Sequence, residues 1–194
     1  MLIIQNLCFK ISGKTLFDST SVTVPKGHKI GLVGRNGTGK TSLFKLIRNE
    51  WSPETGTINI PKNFIVGGVE QEAPSSDFSL LETVLMADKE RSFLLKEAKT
   101  EVDPNRISEI QNRLADIQSH TAEARASTIL AGLGFDIQDQ KKPCSEFSGG
   151  WRMRVALAAT LFKSPDLLLL DEPTNYLDMK VQFGLKIFYT NILV

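Results

Sequence analysis

The stretch Gly34-Arg35-Asn36-Gly37-Thr38-Gly39-Lys40-Thr41 decides the fold of this chain. It follows the short apolar run Ile30-Gly31-Leu32-Val33, and apolar residues then recur at helical spacing between Leu43 and Ile47. It matches the pattern G-x-x-x-x-G-K-[ST], in which a glycine-rich loop between a strand and a helix surrounds phosphate groups with backbone N–H groups. An accidental surface loop is the alternative, and the flanking strand and helix argue against it. We predict a strand, a phosphate-binding loop and a helix.

The loop pattern predicts roles for individual side chains. Lys40 is expected to hold the β and γ phosphates of a nucleotide, and Thr41 to bind Mg²⁺. The helix N-terminus adds partial positive charge. The residues expected to contact the nucleotide here are Gly34, Arg35, Asn36, Gly37, Thr38, Gly39, Lys40, Thr41 and Ser42.

Two adjacent acids, Asp171 and Glu172, follow the apolar run Leu167-Leu168-Leu169-Leu170. Four leucines suit a strand that is covered on both faces, as in a parallel sheet, and ligands bind at the carboxyl end of such strands. Asp171 is then expected to hold Mg²⁺ directly or through water, and Glu172 to polarise an attacking water as general base. The alternative is that Asp171 and Glu172 only form a polar turn after a strand. The presence of the phosphate-binding loop in the same chain argues against it.

The composition is compatible with one globular domain. The 194 residues are 41% hydrophobic and 23% charged, and the net charge of +1 gives no overall attraction to nucleic acid or anionic membrane. No apolar run approaches the ~20 residues that span a bilayer, so we expect a cytoplasmic protein with no direct membrane insertion. Cys8 and Cys144 lie in no ligand-spaced cluster, and we expect two ordinary, partly buried thiols.

The remaining segments predict a β-rich opening and a helical insertion. Strands are expected at Leu2–Ile4, Ser21–Val24, Thr57–Ile60 and Phe64–Val66, with a turn at Pro25–Gly27. Residues 79–131 are charged and helical. Asp103-Pro104 is a helix start, with aspartate as N-cap and proline at the first helical position.

We predict that the helical insertion contains an antiparallel helical hairpin. One helix carries Ile107, Ile110, Leu114 and Ile117 at 3-4-3 spacing, and its expected partner is the stretch with Leu81, Val84, Leu85, Leu94 and Leu95. Eight acidic and seven basic side chains lie between Asp88 and Arg125, so the hairpin is not a strongly basic arm. It either has a function of its own or is a solvated helix pair that only packs on the core.

The segment Phe147-Ser148-Gly149-Gly150-Trp151-Arg152, before a predicted helix at 151–162, resembles the signature motif of ABC-type ATPases. Ser148 and the amides of Gly149 and Gly150 can bind a γ-phosphate at a helix N-terminus. Because one chain needs a single phosphate cradle for one nucleotide, a second cradle implies two cassettes that meet head to tail with ATP at the joint.

Other segments resemble the same family. Gln71 resembles its glutamine loop, which contacts Mg²⁺ and senses the nucleotide, and Asn175-Tyr176-Leu177-Asp178 resembles its D-loop. The forms of the phosphate loop and signature, together with residues 123–134, resemble the first cassette of ABC-F proteins. That resemblance implies an ATPase with two cassettes, no membrane domain and a role on ribosomes with rRNA and tRNA. The alternatives are the ATPase subunit of a membrane transporter and a nucleotide-binding fragment without turnover.

The resemblance implies an α/β fold, the P-loop NTPase ABC-cassette fold, with a β-rich N-terminal subdomain and an inserted helical subdomain. Residues 1–78 and 163–178 are expected to form the nucleotide-binding core, 79–162 the helical and signature subdomain, and 179–194 an atypical tail.

Three features depart from the family pattern. Ile11 stands where the family stacks an aromatic residue on adenine, so base recognition is expected to be loose or apolar. Tyr176 replaces a histidine of the D-loop. Only 16 residues follow Asp178, too few to include the family's switch histidine, and neither His28 nor His120 is placed to replace it. We expect an interrupted reading frame or an artificially shortened chain, against a divergent but genuine terminus.

Overall fold

The computed structural model describes residues 1–69, 75–172 and 192–193. The predicted functional residues Gln71 and 175–178, and all of the tail except 192–193, lie outside these ranges. Within them the chain forms two compact units, the first from residues 1–68, 165–172 and 192–193, and the second from residues 69 and 75–164.

The first unit has the predicted β-rich opening, and its strands form an antiparallel sheet. Its strands are β1 (Leu2–Ile11), β2 (Lys14–Val24) and β3 (Thr55–Asn59), in the order β2-β1-β3. A two-residue turn joins β1 to β2, with positive φ at Ser12 (50°) and Gly13 (79°), the combination that matches the twist of a hairpin. This turn places Ile11 directly opposite Lys14 at the tip of the hairpin.

The same unit contains a parallel sheet formed by β4 (Val66–Gly68), β5 (Leu167–Leu169) and β6 (Ile192–Leu193), in the order β4-β5-β6. The prediction of a buried leucine strand is confirmed, because Leu167 to Leu170 are all at most 8% exposed. Helix α1 (Lys40–Ile47) follows the phosphate loop, and its Phe44, Leu46 and Ile47 share a hydrophobic core with Leu167 and Leu169.

The predicted strand at Ile30–Val33 is wrong over most of its length. Only Ile30 forms a β-bridge, and the side chain of Val33 is 95% exposed. An apolar run becomes a strand only where neighbouring strands supply hydrogen bonds along it, and within the described residues the parallel sheet consists of β4, β5 and β6 without it.

The second unit is helical. Its helices are α2 (Leu80–Leu85), α3 (Lys89–Glu97), α4 (Pro104–Asp116), α5 (Ala122–Gly132) and α6 (Gly149–Phe162). The start of α4 is confirmed, since Asp103 caps the helix by accepting a hydrogen bond from the N–H of Asn105 at 3.1 Å. Every helix in the described ranges is too short or too polar to cross a bilayer.

Helices α3 and α4 form the predicted hairpin, but its composition differs from the prediction. The buried seam consists of Leu94 from α3 with Ile110 and Leu114 from α4. The predicted partners Leu81, Val84 and Leu85 lie on α2, which packs on α5 and α6 instead, with Val84 fully buried. The break at 86–88 between α2 and α3 allows the two helices to pack against different helices.

Two arginines of α4 form bidentate ion pairs with glutamates of α3. Arg106 donates to Glu97 at 2.8 and 3.0 Å, and Arg113 donates to Glu90 at 2.6 and 3.2 Å. The hydrogen bonds from Arg113 lower the pKa of Glu90. The charged faces of α3 and α4 therefore neutralise each other.

The Glu90–Arg113 pair should make the stability of the hairpin depend on pH. A carboxylate with a depressed folded-state pKa stabilises the fold above its unfolded pKa of about 4.3, and this stabilisation is lost as pH falls through the lower folded pKa. We expect a favourable coupling between Glu90→Gln and Arg113→Gln in a double-mutant cycle at pH 7 that shrinks steadily below pH 4. Urea unfolding of the four proteins measures it, and a coupling independent of pH would contradict the ion-pair assignment.

Candidate nucleotide-binding site

The phosphate loop curls around its own lysine. The ammonium of Lys40 donates hydrogen bonds to the carbonyl oxygens of Gly34 at 2.8 Å and Arg35 at 3.2 Å. Thr38 closes the turn, because both its N–H (3.3 Å) and its hydroxyl (2.8 Å) donate to the Arg35 carbonyl. The lysine charge is thus fixed within the loop, where an anion can take over its hydrogen bonds.

Gly39 joins this loop to α1 and packs against the β1–β2 hairpin. Its φ of +101° lies in the left-handed region, and a Cβ there would come within 3.1 Å of the Phe17 ring and 3.4 Å of Leu16. The backbone conformation therefore favours glycine, and a larger residue would also displace these two side chains. The N-terminus of α1 is held directly beside the hairpin.

The start of α1 and the end of β5 meet through Thr41 and Asp171. The Thr41 hydroxyl donates to a carboxylate oxygen of Asp171 at 2.6 Å, and both residues are half-buried. Mg²⁺ is commonly bound by one or two protein oxygen ligands together with substrate phosphates. A hydroxyl and a carboxylate beside a phosphate loop fit that pattern, and in residues 1–69, 75–172 and 192–193 no group of three or more His, Cys, Asp or Glu side chains forms a complete protein cage.

Glu172 follows Asp171 with its side chain exposed. Its φ of +47° is uncommon for a residue other than glycine, and such strained backbone is frequent at functional sites. Asp171 bonds to Thr41, and Glu172 lines the adjoining cleft.

The cleft has a volume of about 300 Å³ and brings seven of the predicted residues together. Its lining from the loop, α1 and the acid pair consists of Asn36, Gly37, Gly39, Lys40, Thr41, Ser42 and Glu172. Gly34, Arg35 and Thr38 form the outer turn of the loop and do not line it, and Gln71 lies outside the described residues.

The hairpin supplies the remaining lining, Ile11, Lys14 and Leu16. Of these three residues, the sequence pattern points to Ile11 but not to Lys14 or Leu16. The signal for Lys14 was the two-residue Ser12-Gly13 turn, which fixes Lys14 opposite Ile11 in the hairpin register.

The signature segment lies in the second unit, at the start of α6. Ser148 is the N-cap residue but makes no side-chain capping hydrogen bond, and an added Cβ on Gly149 or Gly150 would meet no atom within 4 Å. The first-turn amides of α6 therefore receive no capping bond from Ser148, and a helix N-terminus of this kind can bind an anion.

An aromatic cluster holds this helix start in place. Trp151 packs edge-on against the buried ring of Phe135 at 5.1 Å between centroids, and Phe147 contacts the same ring at 5.7 Å. The guanidinium of Arg154 lies 4.5 Å from the Trp151 ring centroid. The residues immediately before and after Ser148-Gly149-Gly150 are thus anchored to one buried phenylalanine.

Comparison with protein-family models finds the ABC transporter family over residues 17–175. The probable ATP-binding protein YheS of Haemophilus influenzae is 43% identical over 182 residues, 92% of this chain and 28% of that protein. ATP-binding cassette sub-family F member 3 of Homo sapiens is 42% identical over 188 residues, 91% of this chain and 26% of that protein. The chain spans less than a third of the length of either relative.

Solved structures show the same fold at low sequence identity. An ATP-binding subunit of an ABC transporter superposes with a TM-score of 0.72 at 17% identity, covering 100% of this chain and 78% of that one. The ATP-binding cassette MJ0796, a dimer bound to ADP and phosphate, gives a TM-score of 0.67 at 17% identity, covering 100% and 87%. These likenesses confirm the predicted P-loop cassette fold.

The hydrogen bond between Thr41 and Asp171 should contribute measurably to stability. Thr41→Val keeps the side-chain shape but removes the hydroxyl, and we expect the free energy of unfolding to fall by about 1–2 kcal/mol because a charged acceptor loses its partner. Thr23→Val, at an exposed position of β2, serves as the control and should change it by less than about 0.5 kcal/mol. Equal losses in urea unfolding would show that the bond does not stabilise the fold.

Proposed function

The chain is an ATP-binding cassette of the ABC transporter family, and we propose that it couples Mg-ATP binding and hydrolysis to conformational change as one half of an ABC-F translation factor on the ribosome. The observation that supports this most is the gathering of Lys40, Thr41 and Glu172 around one cleft, with Asp171 bonded to Thr41.

Nucleotide binding follows from the contacts of the loop. On binding, Lys40 exchanges the carbonyls of Gly34 and Arg35 for β- and γ-phosphate oxygens, and the first-turn amides of α1 add further donors. Thr41 and Asp171 would hold Mg²⁺, which neutralises phosphate charge when it is bound. The hydroxyl and carboxylate are already within bonding distance of each other, so little rearrangement is needed to present both oxygens.

Glu172 is proposed as the general base. It is exposed, lines the cleft and lies next in sequence to the Mg²⁺ ligand Asp171, so its carboxylate can accept a proton from a water that attacks the γ-phosphate. Gln71 is proposed, from the family resemblance alone, to contact Mg²⁺ and to assist this step.

A second cassette is proposed to complete the site. The first-turn amides of α6, which receive no capping bond from Ser148, suit a γ-phosphate held by another cassette, arranged head to tail. This arrangement assigns nucleotide binding to residues 1–78 and 163–178, and the contribution to the partner's ATP to residues 79–162.

The translation role rests on the relatives. A sub-family F protein shares 42% identity over 91% of the chain, and ABC-F resemblance implies action on the ribosome, with rRNA and tRNA as neighbours, in the cytoplasm. The competing role, the ATPase subunit of a membrane transporter, would use the same cleft. The two roles differ in the docking partner, which would be the ribosome for a translation factor and a transmembrane protein for a transporter subunit.

Removing the lysine charge tests nucleotide binding. Lys40→Ala should abolish measurable ATP binding in calorimetric titration with Mg²⁺, because the phosphates lose their charged hydrogen-bond partner. Lys62→Ala removes an exposed lysine of the same unit that does not line the cleft, and should leave affinity unchanged. Undiminished affinity in Lys40→Ala would refute the loop assignment.

Removing the general base tests hydrolysis and the site of action. Glu172→Gln should leave ATP affinity within about twofold and, in a full-length two-cassette protein, trap the closed ATP state so that ribosomes are held more tightly. Co-sedimentation with ribosomes measures this, and Glu172→Gln combined with Lys40→Ala is the control that cannot bind ATP. Unchanged ribosome binding would contradict the translation role, and recovery with membranes would favour the transporter role.

A further inference from the structure

The signature segment, residues 147–152, packs against a turn that a buried amide holds in place. Gln140 is 3% exposed, and within the described part of the chain it and Thr160 are the only buried side chains that are polar or charged. We infer that Gln140 is a positioning residue for the signature segment, because it fixes the turn on which the start of α6 rests. The inference rests on the proposed head-to-tail arrangement and names a residue on which that arrangement depends.

The Gln140 amide bonds to two backbone carbonyls near the end of α5. Its Nε2 donates to the carbonyl of Ser127, inside α5, and to that of Phe135, just after the helix, both at 3.2 Å. An amide nitrogen has two N–H donors, so both are used. Burial of an amide is unfavourable unless its donors are hydrogen-bonded. These two bonds therefore hold the turn at 133–135 in a fixed position relative to α5.

Each residue of this turn contacts α6. The carbonyl of Leu133 accepts a hydrogen bond from Arg154 at 3.5 Å. Gly134 has a φ of +96°, and a Cβ there would lie 3.7 Å from the Trp151 ring, so the backbone of the turn passes close to the indole. The ring of Phe135 meets the same indole edge-on. The turn is thus the support on which the first residues of α6 lie.

The position of the turn determines where the first amides of α6 lie. Phe135 is 1% exposed, and its ring contacts both Phe147 and Trp151. These two residues immediately precede and follow Ser148-Gly149-Gly150, where the phosphate of the other cassette is proposed to bind. Binding groups have to be held within about 0.5 Å of their productive geometry. Loss of the Gln140 bonds would therefore weaken the contact between cassettes, although Gln140 itself touches no nucleotide.

ATP-driven association of the chain tests the inference. The background is Glu172→Gln, in which two copies are expected to stay closed around ATP and Mg²⁺, and sedimentation velocity measures the association constant. Gln140→Leu keeps a similar volume but removes both donors, and we expect it to lower that constant at least about tenfold. The affinity of the single chain for ATP, measured by equilibrium dialysis below the association midpoint, should change less than about twofold, because residues of the first unit line the cleft.

Thr160→Val is the matched control, since it removes the other buried polar group of the second unit. The Thr160 hydroxyl donates to the carbonyl of Ala156 at 2.9 Å, within α6 itself. Its loss should therefore lower stability without displacing the turn. The variants are compared where far-UV circular dichroism shows both to be folded, and we expect Thr160→Val to keep the association constant within about twofold.

The fluorescence of Trp151 gives a second measurement that does not depend on association. The chain has two tryptophans, so Trp51→Phe leaves Trp151 as the only one. Gln140→Asn keeps the amide on a side chain one methylene shorter, which cannot reach both carbonyls, and it serves where Gln140→Leu does not fold. We expect Gln140→Asn to increase quenching of Trp151 by acrylamide, and Thr160→Val to leave the quenching unchanged.

The outcomes separate the inference from the proposed function. Failure of Glu172→Gln itself to associate with ATP would overturn the head-to-tail arrangement and the inference together. Association of Gln140→Leu as tight as that of the Glu172→Gln background would overturn the inference and leave the proposed function intact. Equal losses in Gln140→Leu and Thr160→Val, or unchanged quenching of Trp151 in Gln140→Asn, would show that Gln140 only stabilises the second unit, and would also overturn the inference.

Discussion

The side-chain hydrogen bond from Thr41 to Asp171 connects the beginning of α1 to the end of β5, and the organisation of the site follows from it. Neither end is free to move independently. β5 is buried between β4 and β6, and α1 is fixed by its core residues and by the contact of Gly39 with the hairpin. Because both ends are anchored, the hydroxyl and the carboxylate meet at one place, and the phosphate loop and Glu172 open onto the same cleft.

The two helix N-termini with anion-binding sequences have contrasting surroundings. Gly39 is enclosed by Leu16 and Phe17, whereas Gly149 and Gly150 face open space. In the proposed head-to-tail arrangement, the first would hold the ligand of the unit itself and the second the ligand of the other cassette. The contact between Phe135 and Trp151 fixes the position of the start of α6, because the Phe135 ring is buried.

The parts of the structure that depend on local chemistry could be predicted from the sequence. Glycine spacing predicted the phosphate loop, the Asp103-Pro104 pair predicted the start of α4, and four consecutive leucines predicted a buried strand. The errors concern strand pairing and helix packing, which depend on tertiary contacts. Ile30–Val33 has the composition of a strand but lacks regular pairing, and Val84 packs on α5 and α6 although its spacing suited α4 equally well. Lys14 was missed because its position depends on hairpin register.

The discontinuity of the first unit also has a consequence for biosynthesis. Thr41 and Asp171 are 130 residues apart, with the helical unit between them in sequence. At about 5–20 residues per second, on the order of 10 s separate their synthesis. During that interval α1 lacks the leucines of β5 that complete its core, and the loop lacks its acidic partner. The Thr41–Asp171 contact and the Glu172 side of the cleft can therefore form in the nascent polypeptide only after the helical unit has been made.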